Sequence, residues 1–187
     1  MIEKVCLRKL KKQDASLMLE WMHDEDVVHY MKADFQHKTL ENCESFIASA
    51  QDSEENLHLA VVDNNDTYMG TVSLKGIEDN TAEFAITMRK VAMGKGYASE
   101  GMKQIIKIGL EDLRLKSIYW CVSPENKRAV KFYDKNGYQR VTLYNLCKVL
   151  NTTENALENR GGYRSEEAEG YIWYLVQNGI IKNKQII

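Results

Sequence analysis

Two periods of apolar residues run through the chain. Phe84, Ile86 and Met88 fall on alternate positions of residues 82–88, the pattern of a strand with one inward face. Ala98, Met102, Ile105, Ile106, Leu110 and Leu113 then recur at three- and four-residue steps, one stripe of a long amphipathic helix. The stretch Met93-Gly94-Lys95-Gly96-Tyr97-Ala98-Ser99-Glu100 joins the two. Upstream, Val5, Leu7 and Leu10 mark a first strand, and Asp14 is placed to cap a helix with Leu17, Met18, Trp21 and Met22 on its apolar side. Thr39 and Asn42 open a further helix through Cys43, Phe46 and Ile47. Leu57, Leu59 and Val61 alternate again, and turn residues near 63–66 and 78–80 divide residues 57–88 into an antiparallel meander of three strands.

Downstream, residues 117–122 form a β-rich run that Pro124 closes. The helix between this run and residues 81–88 makes a strand–helix–strand crossover, so the two strands are parallel. Asn126 is positioned to cap the next helix and Gly137 to end it in a left-handed conformation. Residues 145–170 are long and polar, which predicts a loop with a short helix around 153–158. Residues 171–176 predict a final strand and 180–187 a tail. The fold class is therefore α/β, with a mixed sheet in one domain spanning residues 1–187.

Charge and composition narrow the chemistry. Lys and Arg number 25 against 27 Asp and Glu, so a net charge of −2 gives no support to broad binding of nucleic acid or anionic membrane. The first residues are too few and too charged for a secretory signal, and no apolar run reaches the roughly 20 residues that span a bilayer. Cys6, Cys43, Cys121 and Cys147 are far apart, as reduced thiols of a cytoplasmic protein would be. No metal is expected. His23 and His29 are six apart, off the helical ligand spacing, and no carboxylate completes a set. Asp24, Glu25 and Asp26 either cap a short helix or form an acidic lip for a cationic molecule.

The glycine stretch carries the most specific chemistry. Gly94 and Gly96 let the backbone approach a ligand closely, and the helix that follows points free N–H groups and its positive dipole end at the same spot. That is a site for phosphate or diphosphate, or else a strand–helix turn that binds nothing. Asn126 and Tyr133 lie seven apart, on one side of their helix. By themselves they read first as a helix cap and a packing tyrosine.

Taken in order, the glycine stretch and Asn126-Lys127-Arg128-Ala129-Val130-Lys131-Phe132-Tyr133-Asp134-Lys135-Asn136-Gly137-Tyr138 resemble the GNAT superfamily of N-acetyltransferases. The opening Leu7-Arg8-Lys9-Leu10, with Asp14 and Trp21, is similar to its ribosomal-protein and small-molecule branch; the likeness covers residues 1 to about 143. It implies a mostly antiparallel sheet of six to seven strands, splayed at a central parallel pair and flanked by about four helices. It implies acetyl-CoA as co-substrate, its diphosphate on the amides of Gly94, Lys95, Gly96, Tyr97, Ala98 and Ser99. Its pantetheine arm would lie along Ile86, Thr87 and Met88, an added strand in effect, and be held from the far side by Asn126. Tyr133 would protonate the leaving thiolate. Met93 stands where the family usually has Gln or Arg, which removes a side-chain brace but not the amide cradle.

A base for the attacking amine is less defined. Glu83 is the first candidate, on the strand before the loop, with Asp26 and His29 behind it. The implied activity is transfer of acetyl to a primary amine of a small molecule, an amino sugar or a peptide N-terminus, by a monomer or homodimer. A non-catalytic acyl-CoA-binding protein is the alternative. A P-loop phosphotransferase lacks its G-x-x-x-x-G-K-[ST] signature here.

Overall fold

The computed structural model describes residues 5–31, 33–161 and 169–178. Seven strands, β1 (Cys6–Lys9), β2 (Leu57–Val62), β3 (Tyr68–Glu78), β4 (Thr81–Met88), β5 (Ser117–Val122), β6 (Gln139–Val141) and β7 (Ile172–Gln177), form one sheet in the order β1-β2-β3-β4-β5-β7-β6. The helices are α1 (Ala15–Met22), α2 (Glu25–Val28), α3 (Leu40–Ala50), α4 (Tyr97–Lys107), α5 (Lys127–Lys135), α6 (Leu143–Leu150) and α7 (Glu154–Gly161). The expected meander is β2–β3–β4, antiparallel throughout, and β4 pairs parallel with β5. The turn residues act as their chemistry dictates. Asp63 Oδ1 accepts the N–H groups of Asn65 (2.8 Å) and Thr67 (2.9 Å), and Asp79 and Asn80 take positive φ (50° and 61°) between β3 and β4.

Strand alternation sends alternate residues to opposite layers. Leu59, Val61, Val72, Leu74 and Phe84 meet Met102, Ile105 and Ile106 of α4 on one face. Ala60, Val62 and Tyr68 meet Met18 and Trp21 of α1 and Cys43 and Ile47 of α3 on the other. Helix α4 lies close to the sheet because Gly101 offers no side chain; a Cβ there would stand 2.9 Å from Val61 Cγ2.

Several expectations change. The stretch expected as a loop over 145–170 carries the expected short helix as α7 and, ahead of it, a helix that was not expected, α6. Leu146, Leu150 and Leu157 bury against Tyr119 and Trp173, and Thr142 Oγ1 caps α6 by accepting the N–H of Asn145 (3.2 Å). Apolar residues of α6 and the single Leu157 of α7 suffice to hold the two helices on the sheet. The described residues thus hold seven α-helical segments rather than about four. Residues 162–168 and the expected tail at 180–187 lie outside the described residues. Leu113 leaves the α4 stripe because residues 108–112 form a wider π turn, in which its N–H reaches Ile108 O at 3.0 Å; Leu113 is exposed and Leu115 takes the core position. Asp14 precedes α1 but does not cap it with its side chain. Its buried carboxylate accepts from Lys11 N (2.8 Å) and from both terminal Arg8 nitrogens (2.7 and 2.9 Å).

Gly101→Val tests the helix–sheet contact. Overpacking at this seam should cost about 2 kcal/mol and lower the thermal unfolding midpoint; an unchanged midpoint would show that α4 lifts freely.

Candidate active site

Strands β4 and β5 pair at three positions, Thr81–Ser117, Ala82–Ile118 and Glu83–Tyr119, and then part. Outside this gap each keeps its other neighbour: β4 stays registered with β3 to Met88↔Gly70, and β5 with β7 to Val122↔Ile172. The facing edges therefore open into a V, a cleft of about 600 Å³ walled by residues 83–88 on one side and 120–123 on the other. Main-chain groups on those edges are left for a ligand to bond.

The glycine stretch stands at one end of this cleft, whose lining includes Met93, Gly94 and Ala98. Gly94 and Gly96 have φ of 75° and 90°, and Gly96 is the N-cap of α4. The first helical hydrogen bond is Glu100 N–H to Gly96 O at 3.0 Å. Among the described residues no main-chain carbonyl accepts the N–H of Gly94, Gly96, Ala98 or Ser99, and a Cβ on either glycine would meet nothing within 4 Å. The space in front of these amides is open. The Ser99 hydroxyl is not, since it donates to Asn136 Oδ1 at 2.7 Å and ties α4 to the end of α5.

A GNAT acetyltransferase domain model matches residues 4–139. The chain belongs to the GNAT acetyltransferase family. It is 26% identical over 147 residues to the uncharacterized N-acetyltransferase p20 of Bacillus licheniformis, covering 75% of this chain and 82% of that one. It is 25% identical over 144 residues to the acetyltransferase PseH of Campylobacter jejuni, 74% of this chain and 88% of that one. In fold it resembles spermidine N-acetyltransferase from Vibrio cholerae in complex with CoA and spermine, with TM-score 0.72 and 19% identity over 96% of this chain and 98% of that one.

This acetyltransferase uses acetyl-CoA as its acyl donor, and its residues fit that molecule. Open amides at a helix start suit a diphosphate, and two unpaired strand edges suit an amide-bearing arm. Ile86, Thr87 and Met88 are on the β4 edge of the V, and Asn126 faces them from the far side. Asn126 Oδ1 caps α5 by accepting the Ala129 N–H (3.0 Å), which leaves the amide nitrogen of the side chain as a donor. Tyr133 also lines the cleft, 7% exposed, in a nest of Phe132, Trp120, Tyr138 and Tyr174 with ring centroids 5.1–6.4 Å away. Among the described residues its hydroxyl makes no hydrogen bond, and burial pushes its pKa well above the ordinary phenol value. Glu83 occupies the last paired position before the V opens, 12% exposed, with Lys75 Nζ 3.3 Å from its carboxylate. Asp26 and His29 are exposed residues of the α2 region outside the cleft lining. Asp26 pairs with Lys90, which holds its carboxyl below the usual range, and His29 pairs with Glu25 at 3.5 Å.

Arg128 is a cleft residue that the motif analysis passed over. From the first turn of α5 its guanidinium reaches Met93 Sδ at 3.0 Å, and Met93 is the position that lacks the family's usual Gln or Arg. A signal was present. Lys127 and Arg128 open a helix with no acid in its first turn, a placement the helix dipole disfavours unless an anion is near. Lys75 and Trp120 also line the cleft, with no sequence signal to mark them.

Gly96→Val forces a β-branched residue into φ 90° and crowds the open amides. Its dissociation constant for CoA by calorimetry should rise at least about tenfold, which is about 1.4 kcal/mol; unaltered affinity would count against the loop as the diphosphate site.

Proposed function

We propose that this enzyme acetylates the primary amine of a small molecule, by direct attack of the amine while both substrates are bound. The observation that carries the reading is the V itself, with open amides at its loop end and, in its wall, the Tyr133 hydroxyl, which makes no hydrogen bond among the described residues. The named activities of the relatives support an amine acceptor, and the Vibrio cholerae enzyme carries the small amine spermine beside CoA.

When bound, acetyl-CoA supplies an acyl group on a thioester. Transfer forms one C–N bond and breaks one C–S bond, so the amine must lose a proton and the sulfur must gain one. The loop amides of Gly94, Gly96, Ala98 and Ser99 hold the diphosphate. The Lys95 N–H, expected among them, donates to Ala92 O at 3.4 Å, and the Lys95 and Arg128 side chains add positive charge at the loop. Residues 86–88 and Asn126 hold the arm between them. Tyr133 donates to the sulfur. Its raised pKa keeps the proton on oxygen through the neutral and mildly alkaline range, and desolvation strengthens a hydrogen bond from it. Glu83, at the apex of the V, takes the proton from the amine.

Tyr133→Phe keeps the ring packing and removes the donor. Turnover should fall about 10²-fold while affinity for CoA stays within a factor of about two; unchanged turnover would remove Tyr133 from the acid role. Because the phenol is shifted upward, the wild-type rate should show no alkaline limb from Tyr133 below about pH 10.

Glu83→Gln should lower kcat/KM at neutral pH by about 10²-fold. The deficit should shrink as pH rises, since more acceptor then arrives already neutral. A deficit independent of pH would assign Glu83 to architecture.

A further inference from the structure

A second cavity of about 300 Å³ lies on the α1/α3 face of β4, beneath those two helices. The strand register explains why there is room. His58, Ser73 and Ala85 are directly paired across β2, β3 and β4, and Ala60, Thr71 and Thr87 form the next row. All six point to the α1/α3 side, and five of them are small. A helix layer spaced for larger residues leaves a hollow above them. Trp21 and Met22 of α1 and Cys43 and Phe46 of α3 close it with apolar walls.

This cavity and the cleft share Phe35, Ala85, Ile86 and Thr87 as walls, so a molecule seated in it lies against the same strand as the acyl donor. Among the described residues that line it there is no carboxylate. Among the described residues its one cation is Lys38, and Lys75 and Arg128 stand in the neighbouring cleft, where the Glu83 carboxylate is already paired. Among the described residues nothing there neutralises the distal charges of a polyamine, whose desolvation would go uncompensated. His58 Nδ1 bonds Ser73 Oγ at 2.7 Å, and the ring meets the Phe46 edge with centroids 4.9 Å apart. Burial, with Lys75 nearby, lowers the pKa of His58, so at neutral pH it is an uncharged polar wall.

We infer that this cavity receives the body of the acceptor, and that the acceptor is a small monoamine with an apolar ring or alkyl flank rather than a polycation. The inference rests on the acetyltransferase reading above and narrows its substrate class. Size agrees: an apolar cavity of about 150 Å³ accommodates benzene, and this one is about 300 Å³.

The test compares phenethylamine with spermidine on the full-length enzyme at saturating acetyl-CoA, reading free thiol. Phenethylamine should have the higher kcat/KM, by about tenfold or more. Cys43→Leu, which fills the cavity from α3, should raise the KM for phenethylamine about tenfold and leave CoA affinity unmoved. His58→Asp places a carboxylate in the wall and should shift preference toward spermidine, a readout that holds if Cys43→Leu fails to fold. Equal or better use of spermidine by the wild type overturns the inference, as does a folded Cys43→Leu with an unchanged KM. The two readings fail differently. If no amine releases thiol, yet phenethylamine alone quenches the fluorescence of Trp21 and the quench is lost in Trp21→Phe, the cavity assignment stands and the acetyl-transfer reading falls. If thiol is released but phenethylamine leaves Trp21 unquenched, the reverse holds.

Discussion

The geometry of this enzyme depends on two parallel strands that stop pairing. β4 and β5 bond over three residues and then diverge while each remains pinned by its outer neighbour. The lost ladder bonds would cost about 0.5–1.5 kcal/mol each if nothing replaced them. Aromatic packing fills part of the gap at its base. Phe84 of β4 and Trp120 of β5 meet edge to face at 5.4 Å, and Trp120 stacks on Tyr174 of β7 at 5.5 Å and 9°. Such pairs contribute about 0.5–1.5 kcal/mol each beyond their buried area. The same cluster holds the Tyr133 ring at the cleft wall, so the residues that support the opening also orient the proposed proton donor.

A second constraint fixes the loop relative to α1. Arg89, directly after β4, is buried and forks onto Glu20 of α1, with Nε–Oε1 at 3.0 Å and Nη2–Oε2 at 2.8 Å. Its remaining terminal nitrogen donates to Tyr68 O at 3.0 Å. A bidentate, partly buried pair of this kind is geometrically specific. It links the start of the glycine segment to the helix that roofs the second cavity. The strand carrying residues 85–87 thus serves two chambers, and the position of one is tied to that of the other.

Much of the site was legible in the chain because its chemistry is local. Gly94 and Gly96 declare a positive-φ loop, Asn126 declares a cap and Gly137 a left-handed stop, and each does so within a few residues of sequence. The helix near 153–158 was legible, whereas the one at 143–150 was hidden because the partners of Leu146, Cys147 and Leu150 lie on strands far away in sequence. Leu113 was misplaced because a π turn changes the period without changing the composition. His58 and Ser73 were invisible as a pair, since only the register of β2 against β3 sets them 2.7 Å apart.

The sequence by itself determined the order of elements from β1 to α5, the crossover that makes β4 and β5 parallel, and the amide-rich helix start. These follow from periodicity, steric preference and chain handedness, which act over short stretches. Tertiary structure alone decided where the parallel pair opens, how far burial raises the Tyr133 phenol, which cation meets Met93, and how small side chains on three strands add up to a cavity. Those outcomes depend on groups distant in the chain sharing one low-dielectric space, and no local pattern encodes that sum.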